Sequence, residues 1–290
     1  MLHMKKIIRV DNPPARHWVG DGFPVHGMFG YNHNPDQYSP FLMMDYAAPY
    51  QFAPNPNGKK RGVGEHPHRG FETVTIVDNG EVAHRDSAGG GGVIGIGDVQ
   101  WMTAGSGIVH DEFHSDAYSQ KGGAFEMVQL WVNLPAKDKM TAPGYQAIVD
   151  SSIPVIESQA GHVRVIAGTF SNQRGPARTH TPMNVWSLKI RQGQKFDLPQ
   201  PDGWTTLVLI QSGSIKINSQ KSAGAPQLVV MSREGSSLTL YAEQEAKVLL
   251  LAGAPIDEPV VGYGPFVMNT REEIMQAIDD FNSGKFGRVN

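Results

Sequence analysis

The segment TVTIVDNGEV at Thr73–Val82 returns in pattern as TLVLIQSGSI at Thr206–Ile215, 133 residues further along the chain. Each is an apolar, β-branched run broken by a polar residue and a glycine, Asn79-Gly80 in the first and Ser212-Gly213 in the second. Asn-Gly accepts positive φ at both centres of a type I′ turn, so the first segment predicts a strand, a hairpin turn and the start of a return strand. A second pair, EMVQLWVNLP (Glu126–Pro135) and AKVLLLAGAP (Ala246–Pro255), follows in the same order at an offset of 120 residues. Two ordered matches predict a duplicated β-barrel whose second copy has lost some loop. The 33 Gly and 20 Pro are spread along all 290 residues, punctuating short apolar runs as strands and turns require. The expectation is an all-β chain of two tandem barrels, residues 1–138 and 139–290, joined by the polar, proline-bearing segment Leu134–Gly144. Only the C-terminus reads differently. Thr270 and Glu273 fit a capping box, Ile274, Ala277, Ile278 and Phe281 follow at helical spacing, and Gly284 is placed to stop a short amphipathic helix.

The chemistry concentrates in two histidine clusters, HPH at His66–His68 and HDEFH at His110–His114. On a strand, residues i and i+2 share a face. His66 and His68 can therefore aim two imidazoles at one point, and His110 and Glu112 an imidazole and a carboxylate. Facing each other inside a barrel, these four make a three-histidine, one-carboxylate cage in the N-terminal barrel. Such a nitrogen and oxygen set suits iron, nickel, copper, manganese, cobalt or zinc. His114 shares the parity but sits toward the strand end beside Ser115 and Asp116, and is held in reserve. Glu72 shares the parity of His68 and is read as a carboxylate that reaches the metal or orients a ligand imidazole, ranked behind Glu112. The remaining histidines, His3, His17, His26, His33, His84, His162 and His180, are read as ordinary polar side chains. At the 133-residue offset His66 and His68 fall on Pro199 and Pro201, and Glu72 on Thr205. Proline cannot ligate a metal, so the second barrel is expected to be metal-free.

The chain has no cysteine, which excludes disulfides, thiolate ligands and thiol nucleophiles. With 25 basic and 28 acidic side chains, and no basic run longer than Lys59–Arg61, nothing resembles a phosphate-binding stripe. Arg9 and Asp11 interrupt any N-terminal signal-like stretch, and Val248–Ala254 falls far short of the roughly 20 apolar residues that span a bilayer. The expectation is a cytoplasmic protein with no direct nucleic-acid contact and no membrane segment.

HPHRGFETVT, then GDVQWMTAGSGIVHDE, then QLWVNLP, together with the tail EPVVGYGPFVMNTREEIMQAIDDFNSGKFG, resemble the pirin family of the cupin superfamily, from about Val19 to Gly287. The resemblance implies two cupin (double-stranded β-helix) barrels with a single metal in the first. Its ligand set falls on His66, His68, His110 and Glu112. Against the general cupin pattern Thr103 stands where a proline is usual, and two extra residues precede His110. The resemblance further implies iron(II) and quercetin 2,3-dioxygenase activity, in which a flavonol and dioxygen meet at the metal and carbon monoxide is lost. Glu112 or Glu72 would serve there as general base. Met43, Phe71, Met102, Phe113 and Met127 are candidate walls. The alternative is a metal-dependent transcriptional co-regulator acting through a protein partner. A monomer is expected.

Overall fold

Short apolar segments between glycines and prolines give a mostly β architecture in the computed structural model, which describes residues 3–289. Those in the first half are β1 (Ile7–Asp11), β2 (His17–Val19), β3 (Phe23–Phe29), β4 (Phe41–Phe52), β5 (Gly62–His68), β6 (Phe71–Asn79), β7 (Val82–Asp86), β8 (Gly91–Ile94), β9 (Val99–Thr103), β10 (Ile108–His114), β11 (Gly123–Asn133) and β12 (Gly144–Ile148).

The chain forms two units that exchange their ends, rather than two consecutive stretches divided at residue 138. The first unit comprises Pro14–Asp36, Phe41–Asp150 and the residues from Ile256 onward; the second comprises the residues up to Pro13, Gln37–Pro40 and Ser151–Pro255. Backbone pairing is the reason. β12 lies beyond the expected boundary yet pairs with β9, and β1 pairs with Leu228–Met231. The expected linker is correspondingly pinned: Lys139 is fully buried, its Nζ donating to Gly70 O, Asn133 Oδ1 and Val267 O at 2.8, 2.8 and 2.9 Å.

In the first unit a seven-stranded sheet, β12-β9-β6-β11-β4-β3-β2, accompanies a four-stranded sheet, β5-β10-β7-β8. The second unit repeats the pattern. Its larger sheet runs β1, Leu228–Met231, Thr205–Ser212, Ala246–Gly253, Met183–Ile190, Gly161–Ala167 and Val155–Ser158; its smaller sheet runs Lys195–Pro199, Ser237–Ala242, Ser214–Ile217 and Lys221–Gly224. The two repeated segment pairs thus occupy matching strands, as a duplication requires.

The hairpin at Asn79-Gly80 does not form. β6 pairs with β9 and β11, whereas β7 pairs with β10 and β8, so the glycine turns the chain from one sheet to the other. Gly80 alone takes positive φ, +87°, where a type I′ turn needs two such residues. Gly213, at φ +71°, makes the same crossing between Thr205–Ser212 and Ser214–Ile217. A corner of this kind suits a closed sandwich, because successive strands can then line both walls of one interior.

The C-terminal helix, Arg271–Asn282, forms as expected. Thr270 Oγ1 accepts from the Glu273 amide at 3.2 Å while Glu273 Oε2 accepts from the Thr270 amide at 2.9 Å. Ile274 and Ala277 bury against Phe266, Met268, Phe286 and Val109. Val109 belongs to β10, so the helix backs the strand that carries the second histidine cluster. No helix of the described residues is long and apolar enough to cross a membrane.

Candidate metal centre

β10 is hydrogen-bonded to β5 on one side and β7 on the other. Register sets His110 opposite both His66 and Asp86, and Glu112 opposite His84. Cross-strand partners share a face, so these five side chains, with His68, converge on one side of the small sheet. The odd residues of β10 point away: Val109 meets the C-terminal helix, and Asp111 pairs with Arg85. Phe113 also falls on that outer face, which removes it from the candidate walls. A register shift between His110 and Glu112 places one extra residue in β5, so Glu112 lies opposite Val63.

His66, His68 and His110 bring one ligand atom each within 4.8 Å of one another, and His84, His110 and Glu112 do the same. The expected ligands thus fall into two overlapping groups that share His110. Hydrogen bonds fix the tautomers. Nδ1 of His66 lies 2.8 Å from Gly64 O, and Nδ1 of His68 lies 3.3 Å from Pro265 O. A carbonyl only accepts, so both Nδ1 atoms carry protons and both Nε2 atoms present lone pairs. His84 Nε2 lies 3.1 Å from Asp86 Oδ2, which leaves Nδ1 as its acceptor, its single lone pair shared between Gln100 Nε2 at 3.1 Å and His110 Nδ1 at 3.2 Å. That chain gives His110 its proton on Nδ1 and a lone pair on Nε2. His110 Nε2 is buried and has no hydrogen-bond partner among the described residues. A buried lone pair without a donor is costly, and a cation held between it and one ring nitrogen each of His66 and His68 would satisfy it.

The electrostatics agree. Burial, followed by the neighbouring imidazoles, holds His68 and His110 well below the ordinary histidine range, keeping them neutral as ligands must be. Burial alone would raise the Asp86 carboxyl, but bonds from His84 and from the Gly90 and Ala88 amides outweigh it and leave it below its usual value. His84 is therefore anchored by a carboxylate that stays charged.

The larger sheet supplies a polar row. Gln100, Thr75 and Gln129 are neighbours in register across β9, β6 and β11. Glu112 Oε2 accepts from Gln129 Nε2 at 2.9 Å, and Oε1 lies 3.4 Å from both Thr75 Oγ1 and Gln100 Nε2. β12 adds Tyr145, stacked on His84 at 5.1 Å between ring centres and raised to about 12 by burial and by the charges of Asp86 and Glu112. Beside the histidines, Phe71 stacks on Trp131 at 4.3 Å and both rings approach His68. Met43 lies opposite Trp131, and Met102 opposite Thr73, on this inner face. Met127 instead joins the apolar floor with Phe23, Phe52, Val77 and Phe125.

Two residues singled out by parity stand apart. Glu72 faces away from Thr73 and Thr75, accepts from Thr103 Oγ1 at 2.7 Å, and joins neither ligand group. Its shared parity with His68 is lost because the Arg69-Gly70 turn carries the chain from one sheet to the other. His114 reaches Gly22 O at 2.9 Å among the rings of Phe52, Tyr118 and Phe125, in the floor. Conversely His84, read as an ordinary side chain, lies in the centre. Its signal was the His84-x-Asp86 alternation, the same spacing as His66-x-His68. The Gln100, Thr75 and Gln129 row had a fainter one: polar residues flanked by apolar neighbours inside largely buried strands.

Residues 22–132 match the family model for pirin, and residues 185–287 the model for the pirin C-terminal cupin domain. The Pseudomonas aeruginosa protein named "Putative quercetin 2,3-dioxygenase PA2418" is 50% identical over 99% of this chain and 100% of its own length. A pirin-like protein of Solanum lycopersicum is 40% identical over 92% and 88% of the two chains. The crystal structure of a quercetin 2,3-dioxygenase from Acinetobacter baumannii superposes with a TM-score of 0.95 at 52% identity, covering 99% of this chain and 100% of that one. With two cupin domains, a His/Glu cluster able to hold a metal and these relatives along its whole length, the chain belongs to the pirin family.

Proposed function

We propose that this chain is a metal-dependent dioxygenase that opens flavonols such as quercetin, with His66, His68, His110 and Glu112 as its metal ligands. The observation that carries the reading is the convergence of His66, His68 and His110 with a buried, unpartnered Nε2 on His110. Iron(II) is the metal chosen by family resemblance; the donor set itself accepts several first-row ions. When bound, the metal would lower the pKa of the flavonol 3-hydroxyl and bring the substrate and dioxygen together. Glu112 would accept the hydroxyl proton. Gln129, Thr75 and Gln100 aim hydrogens at its carboxylate and so hold it in place. Glu72, turned toward Thr103, is left out of that step. Trp131, backed by the fully buried Phe71, supplies a flat apolar wall beside His68 for a planar polyphenol. One dioxygen is consumed, both its atoms enter the products, and one carbon of the opened ring leaves as carbon monoxide. The setting proposed is a cytoplasmic monomer.

Anaerobic metal analysis followed by oxygen uptake with quercetin tests the reading. About one equivalent of metal, with quercetin-dependent uptake that disappears in His66→Ala, is the expected result. Metal without turnover on any flavonol would sink the activity and favour the co-regulator, whose partner binding should then depend on metal.

A further inference from the structure

A cavity of about 790 Å³ opens in the second unit, and none of its walls comes from the histidine cluster. That volume is in the range of small-molecule sites. In the first unit the corresponding mouth, where Phe71 matches Trp204 at the 133-residue offset, is filled by Val267 packed on Leu42 and Phe71. In the second unit Trp204 borders open space together with Pro182, Met183, Pro199 and Pro201.

The polar side of this cavity is built to donate. Gly168, at φ +78°, lets Asn184 come so near that a Cβ there would lie 2.0 Å from Asn184 Oδ1. That oxygen accepts from the Thr169 amide at 3.3 Å, and Asn184 Nδ2 donates to Gln200 Oε1 at 2.9 Å. The line ends at Gln200 Nε2, which is buried with no hydrogen-bond partner among the described residues, in a residue only 3% exposed. Every acceptor in the line is used, and what remains is a donor. Arg174 adds a positive charge to the same wall. It lies opposite Thr169 across a two-residue turn in which Ser171 and Asn172 both take positive φ, a rigid hairpin of the primed class. Gly175 ties that hairpin down, its amide donating to Gly168 O at 2.9 Å. Among the described residues no Asp or Glu lines the cavity.

An unpartnered amide donor, a guanidinium and a wall of indole and proline rings suit one ligand chemistry. We infer that the second unit carries a binding site for a small aromatic monocarboxylate, its carboxylate between Arg174 and Gln200 and its ring against Trp204. The site is separate from the proposed metal centre and stands or falls independently of it.

Isothermal titration of the full, metal-loaded chain with benzoate and phenylacetate, using benzamide as the uncharged control, tests the assignment. Saturable binding of a carboxylate is expected, weakened about tenfold or more in Arg174→Ala and in Gln200→Leu, since charge-assisted hydrogen bonds are lost. Benzamide should bind at least as much more weakly, and His66→Ala should leave carboxylate binding unchanged. Arg174 is exposed, so its variant folds even where Gln200→Leu does not. No saturable binding of either carboxylate, binding indifferent to Arg174→Ala, or loss of binding in His66→Ala would each overturn the inference.

Discussion

At the scale of single residues, the notable arrangement is the buried line from Asp86 through His84 to His110. Each bond in it decides which ring nitrogen of the next residue carries a proton, and the last decision leaves His110 Nε2 bare. Removing the charge on Asp86 frees His84 to turn, and His110 with it. Asp86→Asn should therefore lower metal affinity about 10–100-fold, the usual cost of losing such support, while circular dichroism stays native. His114→Ala is the matched control, because His114 packs in the aromatic floor and not among the ligand groups. It should retain metal near the wild-type stoichiometry and lose stability instead. Equal loss of metal in both variants would show that the ligands have been assigned wrongly. The pairs His66 with His68 and His110 with Glu112 were legible in the sequence because parity along one strand is local. Glu72 misled for the complementary reason: parity does not carry across a turn that changes sheet.

At the scale of elements, the centre depends on β10 being held from behind. Val109 on its outer face packs against Ile274 and Ala277 of the C-terminal helix, whose first turn is fixed by the Thr270–Glu273 box. Thr270→Ala should cost about 1 kcal/mol in urea unfolding with metal stoichiometry unchanged. A cost near zero would mean that tertiary packing alone holds the helix end. Both the box and the apolar spacing could be read from twelve consecutive residues. The Asn79-Gly80 segment could not be read so simply. The dipeptide announces a turn, yet whether the following strand pairs back or crosses to another sheet is decided by β10 and β8, both distant in sequence from the turn itself.

At the scale of the molecule, Lys139 closes the first unit. Its ammonium reaches Gly70, Asn133 and Val267, tying the β5–β6 turn, the end of β11 and the C-terminal tail together. Burial lowers its pKa from the ordinary lysine value of 10.5 to about 7, against the raising influence of Glu258 and Glu273. With the folded value below the unfolded one, the unfolded chain binds more protons between pH 7 and about 10.5. Stability contributed by this group must therefore rise with pH across that window, by at most about 1.4 kcal/mol per pH unit. Urea unfolding of wild type against Lys139→Met from pH 7 to pH 9.5 should show the upward slope only in wild type. A parallel slope in both chains would assign it to other groups. The sequence by itself determined what repeats over a few residues: strand periodicity, the shared faces of the histidine pairs, the helix cap, and a duplication visible as matched strand patterns. Only the tertiary structure decided which strands pair. Pairing brought His84, Gln100, Thr75, Gln129 and Tyr145 to the centre, set Glu72 and His114 aside, exchanged the ends of the two units, and left a mouth open beside Trp204. Side-chain direction is set by neighbours along the chain, whereas register is set by the burial of surfaces far apart in it.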